Sequence, residues 1–91
     1  MSQVRTTNTQ LREFILQKFP LARKRGVKDG DLLLENGILD SMGVLELVHF
    51  IEQEYGILVS DEELEPDNFQ SIDKLAAFIK TKTGRGEQPS V

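Results

Sequence analysis

The chain contains no cysteine. A disulfide framework, a thiolate metal site and a cysteine nucleophile are excluded with it. It has one histidine, His49, so imidazole chemistry has a single candidate. No stretch approaches the roughly 18 apolar residues of a membrane span. The opening Met1-Ser2-Gln3-Val4-Arg5 lacks the apolar segment of a secretory signal. A cytoplasmic protein with no membrane span is therefore expected. The most informative shortage is of positive charge. Residues 29–73 hold thirteen Asp or Glu and no Lys or Arg, whereas residues 1–28 carry seven basic side chains and one acid, and residues 74–91 carry four and one. The net charge of −4 conceals this block. Phosphate repels such a surface, so nucleic acid is not an expected partner. A basic protein surface is. The plainer alternative is a solvated acidic face that serves only solubility.

What is present fits one small domain of 91 residues. Residues 1–7 are polar and expected to be flexible. Thr7 and Gln10 are spaced as a capping box, and Leu11, Phe14 and Ile15 give the first apolar face. This predicts a helix over 8–19, closed by Pro20, because the residue before a proline disfavours the helical region. A long connection follows over 20–40. Its Arg23-Lys24-Arg25 cluster reads as a solvated loop, whereas Leu32-Leu33-Leu34 must be buried against the domain. A second long helix is predicted from Ser41 to Tyr55, with Gly56 just past its end. At about 100° per residue, Val44, Leu47, Val48, Ile51 and Tyr55 form its core stripe. Met42, Glu46, His49 and Gln53 fall opposite, and Leu45 lies on the boundary. Ser60 and the acids after it predict one short helix, about 61–65, that Pro66 stops. Residues 66–70 read as a turn anchored by Phe69. Ser71 caps a last helix carrying Ile72, Leu75, Ala76, Phe78 and Ile79. A disordered tail is expected over 83–91. The predicted fold is all-α: a small four-helix bundle, three main helices and one short one, with a long loop between the first two. Its domain spans 8–82, and a monomer is expected.

The chemistry concentrates at Gly37-Ile38-Leu39-Asp40-Ser41-Met42-Gly43-Val44-Leu45-Glu46-Leu47. Asp40-Ser41 stands where a loop becomes a helix. Three readings compete: an attachment point for a prosthetic group, a hydrolase nucleophile, or only a helix cap. A nucleophilic serine needs a base within hydrogen-bond reach. His49 is eight residues on, about 12 Å along the same helix at 1.5 Å per residue, too far to serve Ser41. A Gly-x-Ser-x-Gly elbow is absent. Asp29-Gly30-Asp31 resembles only the first positions of a calcium loop, and no metal site is expected. An attachment point is physically sensible, because phosphate esterified to a serine at a helix N-terminus would be stabilised by the dipole and the free amides. The cap remains possible alongside it.

The motif, continued through Ile51-Glu52-Gln53-Glu54-Tyr55-Gly56-Ile57, resembles the carrier-protein family: acyl carrier proteins, peptidyl carrier domains and D-alanyl carrier proteins. The resemblance covers about residues 8–82, including the final Pro-Asp-Asn-Phe-Gln-Ser-Ile-Asp-Lys-Leu segment. It implies that Ser41 carries 4′-phosphopantetheine received from coenzyme A. It implies that Asp40 helps a phosphopantetheinyl transferase to bind, and that Met42 stands where leucine is usual. Glu46 matches the family's recognition acid. Leu45, His49 and Gln53 join it on the surface that partners would touch, and Gly43 and His49 are departures from the family's pattern. The implied role is that of a carrier without catalysis, presenting acyl or aminoacyl thioesters to loading ligases and to synthases or transferases with basic docking surfaces. The phrase Glu-Asn-Gly-Ile-Leu-Asp-Ser-Met-Gly is similar to D-alanyl and aminoacyl carriers served by an adenylating ligase. The end of the chain is more similar to stand-alone acyl carriers of fatty-acid or polyketide synthesis. An unmodified acidic interaction module is the remaining alternative.

Overall fold

The computed structural model describes residues 6–83. Four α-helices follow one another: α1 (Thr7–Lys18), α2 (Pro20–Arg25), α3 (Ser41–Tyr55) and α4 (Ile72–Thr83). Two short 3-10 helices, Asp61–Glu63 and Pro66–Phe69, lie between α3 and α4. No strand occurs among the described residues. The expected all-α bundle forms, but its short fourth helix is at 20–25, not at 61–65. Proline fits the first turn of a helix, where its missing N–H would have no partner. Pro20 therefore ends α1 and begins α2, with Phe19 extended between them (φ −116°, ψ 107°). At the other place, Pro66 leaves Asp61–Glu63 room for one tight turn. The expectation of loose ends within 1–7 and 83–91 lies, for residues 1–5 and 84–91, outside the described residues.

The cap of α1 is one residue earlier than the spacing suggested. Thr6 Oγ1 accepts the Thr9 amide at 3.1 Å, and the Gln10 side chain is used elsewhere. Its Oε1 accepts the Tyr55 hydroxyl from the far end of α3. Asn8 Nδ2 donates to Asp29 Oδ2 at 3.0 Å and to Asp73 Oδ1 at 2.8 Å. The starts of α1 and α4 are thus adjacent, and α3 runs antiparallel to α1. That polarity brings the end of α1 to the start of α3.

The Arg23-Lys24-Arg25 cluster is helical and not a solvated loop. The Arg23 guanidinium donates to the carbonyls of Leu16 at 3.0 Å and Gln17 at 3.1 Å. These belong to the last turn of α1, where carbonyls lack helical partners and a cation is favoured. Lys24 and Arg25 remain exposed. At the end of α2 the Val27 amide reaches back to Ala22 O at 3.1 Å, and both side chains are buried, the pairing of a Schellman closure.

The core joins Leu11 and Ile15 of α1, Leu47 and Ile51 of α3, and Ile72, Leu75, Ala76 and Ile79 of α4. Val44, Val48 and Tyr55 complete the expected stripe of α3 as half-buried side chains. The bounds of α3 are those the sequence predicted. Gly56 ends the helix with φ 66°, a conformation open to glycine at little cost, and its amide closes on Glu52 O at 3.0 Å. The long loop is bound down as three consecutive leucines required. Leu33 is fully buried, as are Val27, Ile38 and Leu39, and Phe69 anchors the 66–70 turn. Burial of one such leucine contributes about 1.5–3 kcal/mol. Backbone bonds fix the loop further: Leu33 N–H to Gln70 O at 2.8 Å and Asp73 N–H to Asp29 O at 3.0 Å. Arg12 pairs with Asp29 from α1. On the other side, Glu63 accepts the Ser60 amide at 2.9 Å and the Lys82 ammonium at 2.9 Å. Those two donors, the amide first, hold its carboxyl below the usual range. The 3-10 segment is thereby tied to the end of α4.

Candidate functional site at the start of the third helix

Asp40 is the N-cap of α3. Its backbone is extended (φ −117°, ψ −170°) and its Oδ1 accepts the Gly43 amide at 2.8 Å. The cap is therefore aspartate, which leaves the hydroxyl of Ser41 outside it. Ser41 is the first helical residue and is exposed. The other described serines are occupied differently: Ser60 shares a capping box with Glu63, and Ser71 is buried with its Oγ accepting the Lys74 amide at 3.1 Å. An anion esterified to Ser41 would meet the positive end of the helix, where first-turn amides lack helical partners. The residues present thus fit a phosphate-linked group.

Two open grooves flank this helix. One, of about 560 Å³, is lined by Asp40 and Ser41, by Leu34 from the loop, by Val44 and Leu45, and by Leu64, Glu65, Pro66 and Phe69 from the 3-10 segment. The other, of about 480 Å³, lies between α3 and α1 and gathers Met42, Leu45, Glu46, His49, Phe50 and Gln53 with Phe14 and Lys18. Asp40 and Ser41 thus stand together at one groove. Met42, Glu46, His49 and Gln53 stand together at the other, and Leu45 forms the ridge that both share. Met42 is 66% exposed and Leu45 55%, so the residue expected at the boundary of α3 is on its outer side. His49 lines the groove away from Ser41, which agrees with its distance along the helix.

Three members of the second groove, Phe14, Lys18 and Phe50, carry no site signal in the sequence. Phe14, expected on the core face of α1, is half-buried and stacks on Phe50 with ring centroids 4.1 Å apart. Lys18 stands out in the sequence only as one of the seven basic side chains of residues 1–28. Two aromatic residues on different helices carry no local signal that they meet, because the meeting depends on the antiparallel packing of α1 and α3. Gly43, a departure from the family's pattern, stands in a tight place. It is buried, and a Cβ there would lie 3.2 Å from both Phe19 Cε1 and Leu39 Cδ2. A side chain at this position would crowd the packing beneath the helix start, and Phe19 and Leu39 would have to give by a few tenths of an ångström. Among the described residues no group of His, Cys, Asp or Glu is placed to hold a metal ion. No described helix is long and apolar enough to cross a membrane.

Residues 9–79 match the family described as "Phosphopantetheine attachment site". The chain is also 28% identical over 80 residues to the "Probable acyl carrier protein PigG" of Serratia sp. (strain ATCC 39006), a match covering 88% of this chain and 92% of that protein. With most of its length, the start of α3 included, inside the match, the chain belongs to the phosphopantetheine-attachment family of carrier proteins, in which 4′-phosphopantetheine is held covalently on a serine.

Proposed function

We propose that Ser41 is the attachment serine and that this chain carries acyl intermediates for partner enzymes without catalysis of its own. The observation that carries the reading is the division of labour at the helix start. Asp40 takes the capping role through its bond to the Gly43 amide, so the exposed Ser41 hydroxyl is available. In the attachment step Ser41 Oγ forms a phosphoester bond with the pantetheine phosphate of coenzyme A. The pyrophosphate bond breaks, adenosine 3′,5′-bisphosphate leaves, and the hydroxyl proton passes to a base on the transferase. Once bound, the group supplies a thiol that holds cargo as a thioester on a long arm. This chain fixes the root of the arm on a rigid helix and keeps the cargo at high local concentration for successive enzymes.

The groove beside Ser41 supports an apolar cargo, since Leu34, Val44, Leu45, Leu64, Pro66 and Phe69 line it. That favours fatty-acyl or polyketide-type chains. A second reading, an aminoacyl or D-alanyl carrier served by an adenylating ligase, is favoured by the carboxylates of Asp40 and Glu65 in the same groove, which has no Lys or Arg in its lining. An ammonium group would be accommodated there. The partners are then a phosphopantetheinyl transferase, a loading ligase and downstream synthases or transferases, meeting Met42, Leu45, Glu46, His49 and Gln53 on the outer side of α3. The cytoplasm is the compartment that fits such work.

The test is intact mass after incubation with a promiscuous phosphopantetheinyl transferase and coenzyme A. The wild-type chain should gain one phosphopantetheine, and Ser41→Ala should gain none. A wild-type chain that stays unmodified would leave only an acidic helical interaction module.

A further inference from the structure

The groove between α1 and α3 does not have the character that the charge distribution suggests. Residues 29–73 hold no Lys or Arg, so a partner approaching α3 alone would meet acids and apolar side chains. The antiparallel packing changes this by placing Lys18, from the end of α1, in the lining with Met42, Leu45 and Glu46. Lys18 is exposed and is the one Lys or Arg in that lining. The groove therefore has an apolar floor, the stacked Phe14 and Phe50, with an ammonium group and the carboxylate of Glu46 both in its lining. Met42, its most exposed apolar side chain at 66%, follows Ser41 in the chain. Leu45 lines both this groove and the one that holds Ser41, so the two surfaces adjoin.

We infer that this groove is a docking site for the enzymes that act at Ser41, and that it takes an apolar side chain of the enzyme flanked by charges of both signs: a carboxylate opposite Lys18 and a cation opposite Glu46. The inference rests on the carrier reading and adds to it a requirement on the partner. A wholly acidic face asks for a basic partner only. The groove asks for an acid as well, placed on the α1 side of the anchor. Charges of both signs fix the orientation in which the partner sits, whereas a uniform acidic field attracts without orienting.

The two views predict opposite signs for one substitution. If the face acts only by its negative charge, Lys18→Glu makes it more acidic and strengthens encounter with a basic enzyme. If the groove is the docking site, Lys18→Glu removes the ammonium and puts a carboxylate against the partner's own. The experiment measures steady-state modification of the intact chain by a phosphopantetheinyl transferase with coenzyme A. The variants are wild type, Lys18→Glu, Lys18→Met and Lys24→Glu, the last an equal charge change at an exposed position of α2 outside the groove. Lys18→Glu should raise KM for the carrier by about tenfold with kcat little changed, and Lys18→Met by an intermediate factor. Lys24→Glu should stay within about twofold of wild type. Thermal melts of each variant establish that the helices are intact. A KM that is unchanged or lowered in Lys18→Glu overturns the inference, and so does an equal rise in Lys24→Glu. Wild type that accepts no phosphopantetheine overturns the carrier reading itself. Wild type that is modified, with Lys18→Glu indifferent, overturns the groove alone.

Discussion

At Asp40 one carboxylate oxygen accepts the Gly43 amide, and the adjacent hydroxyl is left for other use. Loss of an N-cap aspartate costs about 1 kcal/mol, which in a domain of this size lowers the melting temperature by roughly 4–8 °C. Asp40→Ala should show that drop. Asp40→Asn should not, because asparagine caps as well as aspartate. If the carboxylate also helps the transferase, Asp40→Asn should still slow modification of Ser41 while melting as wild type does. Equal rates for Asp40→Asn and wild type would confine Asp40 to the cap. Asp40-Ser41 was legible in the sequence because capping is local chemistry. The tight surroundings of Gly43 were not, since Phe19 and Leu39 reach the same spot from the end of α1 and from the loop.

The helices divide along the same line. Both ends of α3 were readable, since Asp40-Ser41 and Gly56 carry their own signals. The Pro20–Arg25 helix lies within the connection expected over 20–40, because six residues give too little periodicity to count. Its role as a cover for the end of α1 depends on where Arg23 reaches. The link between the end of α3 and the start of α1 can be watched directly. Burial, and then the negative charge of Glu54, push the Tyr55 phenol from its ordinary 10.0 up to about 12. The chain has one tyrosine, so phenolate absorbance should titrate near 12 in the folded protein and near 10 in strong denaturant. The folded state favours the neutral phenol. Its contribution to stability is therefore full below about pH 10 and is lost as pH rises through about 12. Tyr55→Phe should remove that part of the alkaline loss. A folded-state midpoint at the denatured value would mean that α1 and α3 do not close over the ring.

Over the whole molecule, the acidic middle block was plain in the sequence, and the way the fold interrupts it was not. Association with a transferase should weaken as salt is raised, and Glu46→Lys should weaken it at low salt. Indifference of the KM to both would remove charge from the docking step. The place of Lys18 in one groove with Met42 could not be read from spacing, because it follows from which helices pack antiparallel. The same packing has a consequence for biosynthesis. Asn8 bonds to Asp73, 65 positions away, and the loop before Ser41 is tied to Gln70 and Asp73. On the ribosome, the nascent chain carries its serine long before it carries the residues that hold the loop in place. Until α4 has emerged, Leu33 has no Gln70 carbonyl to bind and Asp29 no Asp73 amide. The serine is therefore presented in its native setting only once α4 has emerged, so a modifying enzyme that recognises the folded helix start would act on chains that already carry α4 and pass over shorter ones.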